Sequence, residues 1–299
     1  MKQILFSLFM SIGPLIFSQC TEDSIAVKQL SSIVYALADD SMKGRSSGSV
    51  EEQKAFNFIS SEFKLMTGEK LKTHAFSFSM DSLDFHSKNA YYFVNNHAKT
   101  TIVLSAHYDH IGLGGKLSKS FTSSEIHNGA DDNASGVALL LSLSNDLIRF
   151  KSQNVNYLIV FYSGHEVGLF GSQAFYNYTL KRKKFRKLTM VINFDMVGRL
   201  DPTSKKIKCM CSQELEPYLL SLQDIQTSIK LNITEEEKLH FLDTKWYTEA
   251  GIPCINFTTG MHNDYHKTSD DANYVNYEGL NDLRKFMIDL LSKGKFDLH

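Results

Sequence analysis

Thr101-Ile102-Val103-Leu104-Ser105-Ala106, followed at once by His107-Tyr108-Asp109, is the stretch on which the architecture turns. A short, mostly apolar run with β-branched residues reads as a buried strand, and side chains able to bind metal or protons stand at its carboxyl end. The pattern recurs. Val155 to Ser163 is a second such run, followed by His165 and Glu166, and Leu188 to Phe194 is a third, closed by Asp195. Ser135 to Phe150 carries helical apolar spacing between the first and second runs, and a short helix near Ser172 to Tyr178 separates the second from the third. Strands alternating with helices predict an α/β fold: a mixed, largely parallel central sheet with helices on both faces.

Outward from this unit, Ile25 to Leu37 and Val50 to Leu65 have the spacing of two opening helices, the second with Phe56, Ile59 and Phe63 on one stripe. Between them Lys43-Gly44-Arg45-Ser46-Ser47-Gly48-Ser49 reads as a polar loop. Lys72 to Val94 suggests an antiparallel pair at the sheet edge. Glu214 to Lys230 reads as a helix, Pro253 to Thr258 as a strand and Tyr277 to Leu291 as the closing helix. No internal repeat or low-complexity linker divides the chain, which predicts one domain over 20–299.

The first nineteen residues stand apart. Lys2 gives a positive start, and Ile4 to Phe17 is an apolar run broken only by Ser7, Ser11, Gly13 and Pro14, the make-up of a signal peptide. Cleavage is expected near Ser18 to Cys20, with export to the periplasm or beyond. Lipid attachment at Cys20 is the less favoured alternative, because Phe17-Ser18-Gln19-Cys20 lacks a leucine three residues before the cysteine. No later segment approaches the roughly 20 apolar residues of a membrane span.

Of the 299 residues 42% are hydrophobic and 22% charged, the balance of a folded enzyme. A net charge of −1 gives no field that would draw the chain to nucleic acid or an anionic membrane. The basic stretch from Lys181 to Lys187 reads as a solvated connection. Four cysteines, Cys20, Cys209, Cys211 and Cys254, lack repeated CxxC spacing and predict neither a disulfide framework nor a structural zinc site.

In an open α/β sheet, ligands bind at the carboxyl edge of the strands, so His107, Asp109, His165, Glu166 and Asp195 can face one crevice although far apart in sequence. Asp131-Asp132 at the start of a helix and His266 in the loop Asn263 to Thr268 add to the set. Imidazoles mixed with carboxylates suit zinc, with cobalt or manganese as substitutes. Singly, each has a plainer reading as a helix cap or a satisfied polar residue.

Five strings in order carry a resemblance. Ser105-Ala106-His107-Tyr108-Asp109-His110, Gly129-Ala130-Asp131-Asp132-Asn133-Ala134-Ser135-Gly136, Glu166-Val167-Gly168-Leu169-Phe170-Gly171-Ser172, Asn193-Phe194-Asp195-Met196-Val197-Gly198-Arg199 and Asp264-Tyr265-His266 closely resemble the co-catalytic zinc aminopeptidases of metallopeptidase family twenty-eight. Lys43-Gly44-Arg45 and Gly260-Met261-His262-Asn263 also look like that family. The resemblance runs from about Leu37 to Leu291 and implies a zinc-exopeptidase, phosphorylase/hydrolase-like fold acting on peptide substrates. It implies two zinc ions: His107 and Asp195 on one, Glu166 and His266 on the other, Asp132 bridging. Asp109 would then accept the second N–H of His107. Asp131 would be a neighbour, and Tyr265 a phenol donor to the oxyanion.

One departure stands out. The family places a glutamate before the ligand glutamate, where it takes the proton of the attacking water; here the pair is His165-Glu166. His165 can serve as a surrogate base, mark a lost activity on a scaffold that still binds peptides, or act as an additional zinc ligand. Glutaminyl cyclases share the fold but work with one zinc, whereas both ligand sets are complete in this sequence. Side-chain preference and oligomeric state are not encoded in any readable motif, and the loop Gly112 to His127 is expected to shape the pocket.

Overall fold

The computed structural model describes residues 12–293 apart from 121–123, 150–151, 153, 186, 224–227 and 235. Its strands in chain order are β1 (Lys72–Met80), β2 (Leu83–Val94), β3 (Thr100–His107), β4 (Val155–Tyr162), β5 (Lys187–Phe194), β6 (Lys206–Cys211), β7 (Lys230–Thr234) and β8 (Cys254–Thr258). The helices are α1 (Ile12–Leu37), α2 (Val50–Thr67), α3 (Gly136–Arg149), α4 (Phe170–Leu180), α5 (Glu216–Gln223), α6 (Lys245–Glu249) and α7 (Tyr277–Lys293). Most of the expected leader lies in 1–11, outside the described residues. Among the described residues no helix is long and apolar enough to cross a membrane.

One sheet holds all eight strands in the order β1-β2-β4-β3-β5-β8-β6-β7. Its centre, β4-β3-β5-β8, is parallel. The β1–β2, β2–β4 and β6–β8 pairs are antiparallel, which makes the sheet mixed but largely parallel, as the sequence predicts. The β1–β2 pair lies at the sheet edge, where Lys72 to Val94 was expected to put it.

Alternation along the strands explains how both faces are covered. On β4, Tyr157, Ile159 and Phe161 point to the core shared with α1, α2, α3 and α7. Leu158, Val160 and Tyr162 point the other way, to a core shared with Phe175 of α4 and Tyr247 of α6. All eight residues of β4 are buried, the signature of a strand covered on both sides.

The expected helix from Glu214 to Lys230 needs correction. Helix α5 covers only Glu216–Gln223, and Lys230 opens β7. Strand β6 also went unread. Its Lys206-Ile207-Lys208-Cys209 alternation buries Ile207 and Cys209, but six residues interrupted by lysines give a weak signal. Cys209, Cys211 and Cys254 are buried, in keeping with packing roles.

Two local features hold the carboxyl edge. Helix α2 is capped by Ser49, whose hydroxyl accepts the Glu52 N–H at 3.0 Å, and the Glu52 carboxylate returns to accept the Gly48 N–H at 2.7 Å. At the start of α4, a Cβ on Gly171 would meet the Ser163 carbonyl oxygen at 1.8 Å. Only glycine lets α4 sit directly on the end of β4, next to the loop that carries His165 and Glu166.

Candidate metal centre

Four adjacent parallel strands deliver side chains to one edge. His107 is the last residue of β3, Glu166 lies in the loop after β4, Asp195 follows β5 directly, and His266 sits in the loop after β8. Asp132 comes from the turn Ala130–Ser135 that leads into α3. The strand order places β4, β3, β5 and β8 side by side, so four loops converge where the sequence alone indicated three.

Asp132 stands between two pairs. Its Oδ1 is 3.3 Å from His107 Nε2, which is 3.6 Å from Asp195 Oδ1. Its Oδ2 is 3.3 Å from His266 Nε2, which is 3.2 Å from Glu166 Oε2. Four donors in a tetrahedral shell with bonds of about 2.0 to 2.1 Å lie about 3.3 Å from one another. In each set the distances from the histidine nitrogen to its two carboxylates therefore match the edges of a metal shell, and the two sets share the Asp132 carboxylate. His107 Nε2 and His266 Nε2 are buried and make no hydrogen bond, as expected of nitrogens aimed at an ion.

Electrostatics point the same way. Burial works to lower the pKa of His107, and the Asp109, Asp132 and Asp195 carboxylates outweigh it, lifting the imidazole well above its ordinary value. Burial likewise opposes protonation of His266, which Asp132 and Glu166 lift to about 10. Burial and Asp132 push the Glu166 carboxyl up, but His110 and His266 hold it down at about 2. The cluster thus draws positive charge toward its centre, and divalent cations supply more of it than protons on two rings.

The scaffold behind the donors is hydrogen-bonded from several directions. Asn133, whose bond to Asp132 is a cis peptide, donates its Nδ2 to the carbonyls of Phe194 at 2.9 Å and His107 at 3.3 Å. That ties the ends of β3 and β5 together. Asp131 turns away from the centre: its Oδ1 accepts the Gly198 N–H at 2.6 Å, and its Oδ2 lies 3.1 Å from His262 Nε2. Asp109 faces His107 Nδ1 with its main-chain carbonyl at 3.1 Å, while its carboxylate oxygen is 3.7 Å away. The carboxylate instead accepts the Ser47 hydroxyl at 2.6 Å and the main-chain N–H groups of His165 and Glu166 at 3.3 and 3.2 Å. Asp109 so joins the β3 loop to the β4 loop in addition to facing His107.

His165 lies flat on His107, with ring centroids 3.8 Å apart and planes 5° from parallel. Its Nδ1 is 3.0 Å from Oδ2 of the fully buried Asp243. A ring nitrogen of His165 is also within 4.8 Å of the donor atoms of His107 and Asp195. The stack argues against both rings binding one ion. A metal midway between them would sit about 1.7 to 1.9 Å outside each ring plane, almost the whole of a 2.0 Å bond, whereas a nitrogen lone pair lies in the plane. Burial and His107 work to lower the His165 pKa; Asp243 outweighs them and lifts it to about 9. Divalent ions among the ligands would oppose that lift by repelling imidazolium.

Tyr265 stacks on His266 at 4.0 Å and has the Lys119 ammonium over its ring, and burial together with Asp132, Glu166 and Asp195 holds its phenol protonated, able to donate. Besides Asp243, three further residues escaped the sequence reading. His110 places Nδ1 3.0 Å from Glu166 Oε1, the oxygen not facing His266. Asp270 accepts the N–H groups of Asp131 and Asp132, both at 3.0 Å, and Arg199 at 3.1 Å. Arg45, fully buried, donates to the carbonyls of Tyr108, Asn128 and Gly129 at 2.9, 2.7 and 3.0 Å. His110 and Arg45 lay inside strings already singled out, so that signal was available; nothing in the sequence marked Asp243 or Asp270.

Comparison with known proteins bears on the family and the fold. The sequence description of peptidase family M28 matches residues 90–291. No curated protein sequence matches the chain. Among solved structures, the LapA aminopeptidase of Legionella pneumophila is similar with a TM-score of 0.68 and 19% identity, covering 98% of this chain and 78% of that one. The zinc aminopeptidase BSAP of Bacillus subtilis gives 0.71 and 15%, covering 90% and 96%. The glutaminyl cyclase of Fimbriiglobus ruber gives 0.73 and 18%, covering 90% and 95%. At these identities the likeness is one of fold.

Proposed function

Because the chain belongs to peptidase family M28, we propose that it is a two-zinc aminopeptidase, exported from the cytoplasm, that releases amino-terminal residues from peptides. The observation that carries this reading is the pair of donor sets, 3.2 to 3.6 Å in spacing, joined through the two oxygens of Asp132. Zinc bound there would polarise the scissile carbonyl and lower the pKa of the attacking water from about 15.7 toward 7.

The chain's own groups do the rest. His165 accepts the proton that the water loses on attacking the carbonyl carbon, then gives it to the amine nitrogen as the C–N bond breaks, so the proton balance closes on one residue. Its ring stacks on that of His107 with planes 5° from parallel, which suits a base beside the ligands better than a further ligand on the same ion. The Tyr265 phenol donates to the oxygen that gains charge in the tetrahedral intermediate.

A cyclase reading draws on the fold likeness to glutaminyl cyclases. Against it stands the completeness of the His107, Asp195 and Asp132 set, since cyclases of this kind are expected to use one ion. A silent peptide-binding scaffold is the other alternative. The zinc-loaded full chain, assayed against a broad panel of aminoacyl and dipeptide substrates, should release amino-terminal residues; cleavage of none of them would defeat the aminopeptidase reading. Turnover of amino-terminal glutamine to a cyclic product by protein holding one zinc would establish the cyclase.

A further inference from the structure

Strand β6 lies between β8 and β7, so a lysine on it blunts no sheet edge. Alternation divides its residues. Ile207 and Cys209 enter the core shared with α1, α3 and α7, whereas Met210 enters the opposite core with Leu239 and Tyr247. Lys208 shares the face of Met210 and is exposed.

The same face carries donors from the central strands. His107 has the parity of Val103, and Asp195 that of Val191, both in the core that holds Met210. Ser105 pairs with Asn193, Phe194 with Phe257 and Thr258 with Lys208. Carried to the strand ends, that register sets His107, Asp195, Thr258 and Lys208 in one row across β3, β5, β8 and β6. Neighbouring strands lie about 4.8 Å apart, which roots Lys208 roughly 10 Å from Asp195. Its stem leans over the strand between them: a Cβ on Gly260, just past β8, would meet Lys208 Nζ at 2.7 Å and Cε at 3.1 Å. Gly260 opens the loop that carries Tyr265 and His266.

Among the described residues the Lys208 ammonium has no ion-pair partner. The acid of the neighbouring loop, Asp264, is turned to Arg199 at 3.3 Å and accepts the Ser269 hydroxyl at 2.7 Å. An unpaired cation beside the site suits an anion that the ligand brings.

We propose that Lys208 is a specificity-determining residue of the site: its ammonium takes a carboxylate on the side chain of the substrate's amino-terminal residue, which makes glutamyl and aspartyl peptides the favoured class. The span fits. With the scissile carbonyl beside Asp195, the four methylenes of Lys208 cover more than half of the distance, and the one or two methylenes of an acidic side chain cover the rest. This inference rests on the aminopeptidase reading for the pose of the peptide.

The test compares glutamyl, glutaminyl, leucyl and lysyl anilides on the zinc-loaded full chain. Anilides have no carboxyl terminus, so a preference among them comes from the side chain alone. For the glutamyl anilide kcat/KM should exceed that for the glutaminyl one by about 10- to 100-fold, the worth of a hydrogen bond between charged groups. Lys208→Arg should keep that preference, Lys208→Met should abolish it, and Lys208→Glu should turn it toward the lysyl anilide. A native preference for leucine, which exposed Met261 beside Gly260 would favour, overturns the proposal. So does a glutamyl preference that survives Lys208→Met. An effect of Lys208 confined to peptides with a free carboxyl terminus would assign it to the main-chain carboxylate and overturn the side-chain role.

Binding separates this inference from the function it rests on. A chain that cleaves no anilide or peptide refutes the aminopeptidase reading, yet calorimetric titration with free glutamate and free glutamine still decides the role of Lys208. The zinc-loaded native chain should bind glutamate about 10- to 100-fold more tightly than glutamine, and Lys208→Met should bind the two alike. Equal binding of the two by the native chain, or binding of neither, overturns the proposal.

Discussion

Replacing Glu52 by glutamine should make the protein more stable in mild base and leave it nearly unchanged in mild acid. Glu52 is 4% exposed, at the start of α2, where its carboxyl meets the hydroxyls of Ser87 and Ser163 and the Gly48 N–H. Burial raises its pKa from 4.5 to about 7, and those hydrogen bonds only partly offset the rise. Because the folded value exceeds the unfolded one, the native state holds the extra proton. The stability this contributes is complete below about pH 4.5 and is lost as pH climbs through about 7. A rise from 4.5 to about 7, at about 1.36 kcal/mol per unit, sets an upper bound of about 3 kcal/mol on the loss. At roughly 2 to 4 °C per kcal/mol for a chain of this size, Glu52→Gln should melt several degrees above the native protein at pH 8 and within about two degrees of it at pH 4.5. Nearby divalent ions would favour the ionised form, so both proteins are melted in excess chelator, and their difference at each pH removes titrations common to both. A difference that stays constant from pH 4.5 to 8, or that favours native Glu52 at the higher pH, would refute the reasoning.

Other residues give sharper functional readings. His165→Ala should lower kcat by about 10² to 10⁴ while zinc content stays as in the native protein, measured by steady-state kinetics beside metal analysis. Tyr265→Phe should cost about 10² to 10³ in kcat with little change in KM, the effect of removing one donor to the oxyanion. Asp132→Ala should release both ions on dialysis, whereas His107→Ala should keep the ion held by Glu166 and His266; equal retention in the two variants would contradict the bridging role. Gly171→Ala should lower stability by about 3 kcal/mol or more, read by denaturant titration, because its Cβ would overlap the Ser163 carbonyl at 1.8 Å.

The central sheet was legible because β3, β4 and β5 are continuous apolar runs, the mark of parallel strands covered on both faces. Strands β6 and β7 were not, since Lys206, Lys208 and Lys230 dilute their pattern and a strand of five or six residues leaves little periodicity to read. At the site, the strand-end rule indicated which side chains could meet but not how closely. The spacing around Asp132 depends on the register of β4, β3, β5 and β8, which no short window of sequence contains. Asp243 illustrates the remainder. It lies 78 residues from His165 in a segment without motif, and its importance follows from a hydrogen bond that exists only after folding.

Zinc binding to the metal-free full chain, followed by calorimetric titration and checked by elemental analysis after gel filtration, tests the shared-carboxylate centre most directly. Two ions per chain are expected, the uptake of both abolished by Asp132→Ala. A native protein that takes up no zinc, or that saturates at a single ion with His107 and Asp195 left unused, would contradict it.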